Sequence, residues 1–208
     1  MTDEKLKTLK DDIAFMRALA QEGGAAPLLG GAILLAAGLI FAAASLTHWA
    51  VLVGLLRLPP LAFPAIWLGA VVIFLIALWI IKTREQGRPG ASSPGNRASS
   101  VAWASVGWGV FAIGMSLAII AIRSGSALPM LVFPSLILGL YGMGWSVAAA
   151  MSHKRWIWMT AIGSYASALL VAWFAAEPVL YLLYAAALIL LGALPGFVLM
   201  RQEPSDTI

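Results

Sequence analysis

The sequence predicts an all-α, polytopic membrane helix bundle: six transmembrane helices arranged as three hairpins, preceded by a cytoplasmic amphipathic helix. Three observations predict it. Six apolar segments, residues 28–50, 63–81, 101–122, 129–150, 156–176 and 178–200, each run to roughly 19–23 residues, or about 28–35 Å of helix, the thickness of a hydrocarbon core. These segments lack the polar face that a soluble helix carries every 3.6 residues. Of the 13 Lys and Arg residues, eleven fall before the first segment or in alternate breaks. Transmembrane β-strands are excluded, because they are about ten residues long and alternate in polarity.

Residues 1–26 form the one element of soluble character. Leu6, Leu9, Ile13, Met16 and Ala20 recur at spacings of three and four, with Asp, Glu and Lys between them, and Phe15 and Leu19 widen the stripe. Thr2 or Asp3 caps such a helix, and Gly23-Gly24 ends it. The stripe has two readings. It lies in the inner headgroup layer, or Leu6, Leu9, Ile13 and Met16 dock onto a cytoplasmic or membrane protein partner. Asp3, Glu4, Asp11, Asp12 and Glu22 are wrong for the start of a cleavable signal peptide, so none is expected.

Residues 27–83 are expected to form the first hairpin. Small residues Gly31, Gly38, Ala42 and Ser45 mark the packed side of its first span. The second span is bulkier, with Trp67, Phe74 and Trp79, and is expected to face lipid. Residues 84–100, rich in Gly, Pro and Ser, read as a flexible cytoplasmic linker.

Residues 101–152 are expected to repeat the first hairpin. Leu58-Pro59-Pro60-Leu61-Ala62-Phe63-Pro64-Ala65-Ile66-Trp67-Leu68-Gly69 aligns at an offset of 70 with Leu128-Pro129-Met130-Leu131-Val132-Phe133-Pro134-Ser135-Leu136-Ile137-Leu138-Gly139, with Leu, Pro, Leu, Phe, Pro, Leu and Gly in common. In each copy the first Pro turns the chain. The second falls in the first helical turn, where a missing N–H costs little. Ala104, Gly107, Gly114 and Ala118 suggest a packed side on the third span. On the fourth, Ser135, Gly139, Gly142, Ser146 and Ala149 form the cleanest small-residue stripe. Residues 153–200 form the third hairpin. There Thr160, Ser164 and Ser167 line the fifth span, and Gly192 and Gly196 bracket Pro195, so close approach and a kink are expected together. Residues 201–208 are a cytoplasmic tail.

The basic residues orient the whole. Only Arg57 and Arg123 lie in the other set of breaks, which places both termini in the cytoplasm. This bias and anionic headgroups account for the net charge of +4, so no nucleic-acid partner is implied. The partners expected are the lipid bilayer and a protein docked on residues 1–26. Of the nine Trp, Trp49, Trp67 and Trp173 fall at the outer boundary and Trp79, Trp103, Trp156 and Trp158 at the inner one. Trp108 and Trp145 lie deeper, are expected between helices, and each needs an acceptor for its indole N–H.

Chemistry-bearing residues are few. The chain has no Cys, which removes disulfides, thiolate chemistry and lipid attachment to Cys. His48 and His153 stand about a membrane apart and cannot share a metal. His48 is a candidate proton-sensing or ligand-binding group. With Arg57, Arg123 and Glu177 it forms a candidate outer-face polar cluster. No catalytic, cofactor or metal site is expected. No Asp, Glu, Lys or Arg falls mid-span, which argues against ion-coupled transport.

The run Asp11-Asp12-Ile13-Ala14-Phe15-Met16-Arg17-Ala18-Leu19-Ala20-Gln21-Glu22-Gly23, followed by Ala26-Pro27-Leu28-Leu29-Gly30-Gly31, resembles the start of small bacterial inner-membrane proteins of unknown function. The resemblance covers the first thirty or so residues. It implies a bacterial cytoplasmic membrane and no activity. The leading functional reading is a non-enzymatic scaffold, sensor or regulatory subunit acting through the N-terminal helix. The alternatives are a permease-like transporter subunit and a lipid-modifying enzyme.

Overall fold

The computed structural model describes residues 12–13, 28–85, 93–152 and 154–203. Among them there is no strand, and six helices are long and apolar enough to cross a membrane. In chain order the elements are α1 (Gly31–Leu52), α2 (Ala62–Glu85), α3 (Pro94–Ser124), a 3₁₀ turn (Leu128–Val132), α4 (Phe133–Ser152) and α5 (Arg155–Trp173). The sixth span is α6 (Val179–Leu188), a π-helical turn (Ile189–Ala193) and α7 (Leu194–Gln202).

The N-terminal helix and its docking residues Leu6, Leu9 and Met16 lie outside the described residues. Of the stripe only Ile13 is described; it is helical and half exposed. The linker is shorter than composition suggests. Helix α2 runs on through Glu85, and α3 begins at Pro94 rather than after residue 100. The cause is local. Ser93 caps α3 by accepting from the Asn96 N–H at 3.3 Å, and Pro94 occupies the first turn, where no N–H is needed.

Two packing systems make up the bundle. In the first, α1 lies against α2, α6, the π turn and α7. In the second, α4 lies between α3 and α5. The sixth span therefore rests mainly on α1, not on its sequence neighbour α5. Water drives little of this in a bilayer, so shape complementarity and interhelical hydrogen bonds decide which helices meet.

Glycine makes the α1 contact. A Cβ at Gly31 would fall within 3 Å of the backbone of Gly196 and Met200. One at Gly38 would strike the backbone and Cβ of Ala193, and one at Gly196 would strike Leu35 N at 2.5 Å and Gly31 O at 2.8 Å. These helices touch backbone to backbone. A Cβ at Gly192 would meet Gly38 Cα at 3.6 Å, an ordinary contact.

On α4 the predicted stripe divides. Gly142 is buried beneath the Tyr165 ring, and Ser146 donates to Gly142 O at 2.7 Å while standing 3.5 Å from the Tyr165 hydroxyl. At Gly139, by contrast, an added Cβ would meet nothing within 4 Å. The interior row of α4 is instead large: Leu138, Tyr141 and Trp145, with Pro134 above and Ala148 below. Ser135 joins α4 to α5 by donating to Ala168 O at 2.8 Å.

Two expectations for α3 are corrected. Ala104 and Gly107 are exposed, so those small residues do not mark its packed side. Trp108 is 72% exposed and touches Phe111 edge-on, so it is not held between helices. Helix α3 meets α4 through Trp103, which stands edge-on to Trp145 and Tyr141 with ring centroids 5.1 and 5.4 Å apart, and through Gly114, where an added Cβ would strike the Phe133 ring at 2.8 Å, so this member of the predicted stripe does pack. Helix α2 is little buried as a whole and its Trp79 faces outward, as expected, but Trp67 and Phe74 turn inward, Phe74 onto Phe41 with ring centroids 5.5 Å apart. Gly31, Gly38, Ala42 and Ser45 are buried as expected.

Candidate functional site

One end of the bundle gathers the end of α1 and the starts of α2 and α6. His48 sits there, on the side of α1 that also carries Gly38, Ala42 and Ser45. That spacing turns it inward. Its ring stacks on Tyr181 with centroids 3.9 Å apart and planes 19° apart, and Phe63 closes another side at 4.5 Å. The Trp67 indole N–H donates to His48 Nδ1 at 2.9 Å. One turn earlier, Ser45 donates to Tyr181 O at 2.7 Å and ties the first turn of α6 to α1. Trp67 in turn leans on Tyr184 at 6.5 Å.

The Trp67 bond sets the state of the imidazole. Indole N–H can only donate, so Nδ1 must present its lone pair, and the single proton of the neutral ring belongs on Nε2. The site is thus a neutral histidine in an aromatic box, offering one N–H at Nε2. It can donate a hydrogen bond or, after losing Trp67, take up a second proton. Acid–base or nucleophilic catalysis needs further convergent polar groups.

The structure does not bring the rest of the predicted cluster to His48. Arg57, Arg123 and Glu177 are exposed, and no ion pair joins them among the described residues. Arg57 and Glu177 lie in separate connections and Arg123 in the last turn of α3, where charged side chains are free to stay solvated. Trp67 and Tyr181 are the residues that sequence reasoning missed. The one available signal was that His48 continues the small-residue spacing of α1, and so belongs to its packed side. His153 lies outside the described residues.

The opposite end carries a second polar cluster. Asn96 Oδ1 accepts from the Leu29 N–H at 2.9 Å, and Glu203 Oε1 accepts from the Gly31 N–H at 3.0 Å. Both acceptors serve N–H groups at the start of α1 that have no helical partner. The Glu203 carboxylate also complements the positive end of the helix dipole. Asn96 is buried and comes from α3, while Glu203 follows α7. Nearby, Lys154 donates to the side chain of Gln202. The entry to α1 is therefore clamped to the start of α3 and to the end of α7.

Comparison with protein-family models, with curated proteins and with solved structures finds no match for this chain.

Proposed function

We propose that the chain is a non-enzymatic, multi-pass protein of the bacterial inner membrane that scaffolds or regulates through its N-terminal helix. The observation that carries this reading is the clamp at Leu29 and Gly31. Whatever pulls on residues 1–26 acts first on the chain at Leu28–Gly31. There two side chains from distant parts of the sequence hold the backbone. A partner seated on the amphipathic stripe would thus be mechanically linked to α3 and α7. The filled interior supports the same reading: Leu138, Trp145, Ile157 and Leu180 are fully buried between helices, as in a solid bundle.

The proposed orientation places the clamp in the cytoplasm, with both termini and the segment between α2 and α3. Arg84, Arg97, Lys154 and Arg201 all belong to helix ends at or beside the clamp, which supports it. The three-hairpin arrangement, with the second hairpin a repeat of the first, also belongs to this proposal. In its support, Pro64 and Pro134 both fall in the first turn of their helices.

Partner capture in mild detergent tests the reading. The full chain and a Leu9→Asp, Met16→Asp variant are purified in parallel and their co-purifying proteins compared. The expected result is loss of a cytoplasmic partner at unchanged abundance and membrane insertion. An identical set of partners from both would refute docking through this helix.

A further inference from the structure

The geometry points to a binding site for one anionic phospholipid in the cleft between α3 and α4, with Arg97 holding the phosphate and Val101, Ala102 and Val147 holding an acyl chain. The cleft is a shallow groove on the outside of the bundle, with about 650 Å³ of space along Pro94, Arg97, Ala98, Val101, Ala102 and Val147. It exists because α3 presents Ala98 and Ala102, two short side chains, where it faces Val147.

Polarity along the cleft runs in the order of a lipid, from headgroup to chain. Arg97 lies in the first turn of α3, on the polar side of the apolar segment that begins at residue 101. Val101 lies four residues further in, about 6 Å along the axis, and is 66% exposed. The charged end thus stands at headgroup depth, and the apolar end at the start of the hydrocarbon.

The charge is available. Arg97 is exposed, and among the described residues no carboxylate pairs with it. A guanidinium offers a planar fork that fits a phosphodiester with two parallel hydrogen bonds. Its position at the start of a 31-residue helix adds the positive end of the dipole to the same place. An anionic headgroup with an open phosphodiester, as in phosphatidylglycerol, is favoured over a zwitterionic one, whose ammonium would be repelled there. Basic pockets between transmembrane helices recognise anionic lipids in this way.

Native mass spectrometry of the full chain released from mild detergent tests the site. Phosphatidylglycerol and phosphatidylethanolamine with the same acyl chains are titrated separately. One phosphatidylglycerol should bind ahead of all others, with about tenfold preference over phosphatidylethanolamine, whose ammonium is repelled beside Arg97, a difference of about 1.4 kcal/mol. Arg97→Gln should remove that preference. Arg84→Gln, which alters a basic residue outside the cleft, should keep it. Ala102→Phe should fill the cleft and lower the first binding step for both lipids. Equal binding of both lipids by the wild type overturns the proposal, as does an equal effect of Arg84→Gln and Arg97→Gln. Displacement of the bound lipid by inorganic phosphate alone would make this a free-phosphate site and also overturn it. So would a shift from dimer to monomer in Ala102→Phe with lipid binding unchanged, which would seat a second copy of the chain there. Because Arg97 is exposed, its replacement leaves the fold intact and keeps the test decisive.

Discussion

Trp145 donates its indole N–H to the carbonyl oxygen of Leu191 at 2.8 Å, and this bond joins the two packing systems of the bundle. Its cause is four residues further along the chain. Pro195 has no N–H and cannot make the helical bond back to Leu191, so that carbonyl lacks its usual helical donor inside the membrane. The helix widens into a π turn at Ile189–Ala193, and the fully buried Trp145 of α4 supplies the missing proton.

Trp145→Phe should therefore lower stability by about 1–3 kcal/mol, the cost of a buried acceptor left without a donor. Pro195→Ala restores a donor within the helix. In the Pro195→Ala background the cost of Trp145→Phe should shrink by more than half. Thermal melting of the four proteins of this cycle in detergent measures the coupling. Additive effects would show that Leu191 does not link the two positions.

How far the fold could be read in advance differs from residue to residue. The spans were legible because bilayer thickness fixes their length. The need of Trp145 for an acceptor was legible too, since a deep indole N–H has no water to turn to. The outward position of Trp108 was not. In a lipid-embedded helix both faces are apolar, so hydropathy does not tell a helix-facing Trp from a lipid-facing one. The same ambiguity hides the difference between Gly139 and Gly142, three residues apart on one predicted stripe. The early start of α3 was obscured because Ser and Pro suit a linker and a helix cap equally well. At the candidate site, His48 was visible as a residue type. Its partners Trp67 and Tyr181 come from other helices and carry no local mark.

Glycine substitutions should change sign with position. Gly38→Ala drives a methyl into the backbone of Ala193, and Gly196→Ala drives one into Leu35 and Gly31. Each should cost about 1–3 kcal/mol by overpacking. Gly139→Ala meets open space, so the helix gains roughly 0.5–1 kcal/mol from reduced backbone freedom. Melting temperatures in one detergent should fall for the first two and hold or rise for the third. A fall of the same size at Gly139 would mean that another molecule covers it.

The His48–Trp67 bond should behave as a matched pair. His48→Phe keeps an aromatic ring on Tyr181 but leaves the Trp67 N–H without an acceptor. Trp67→Phe leaves Nδ1 without a donor. Each single change should cost about 1–3 kcal/mol, whereas the double change to Phe removes both polar atoms and should cost less than the sum. Denaturation in detergent reads all three. If the double variant loses as much as the two singles together, the hydrogen bond contributes nothing beyond packing.

Orientation in the membrane follows from charge and is tested by chemistry the chain does not itself possess. With no native Cys, one introduced thiol is the only one to label. Ser92 falls in the sequence between α2 and α3, whose described ends carry Arg84 and Arg97 on the clamp side. Ser124 closes α3 at the other end, where it is exposed. Helix α3 has 31 residues, about 46 Å of rise, so the two sites stand on opposite sides of a hydrocarbon core of about 30 Å. Basic residues are retained on the cytoplasmic side. An impermeant maleimide applied to intact cells should therefore label Ser124→Cys and spare Ser92→Cys, and lysis should make Ser92→Cys reactive. Labelling of Ser92→Cys alone in intact cells would invert the protein. Labelling of both would mean that α3 does not cross the membrane.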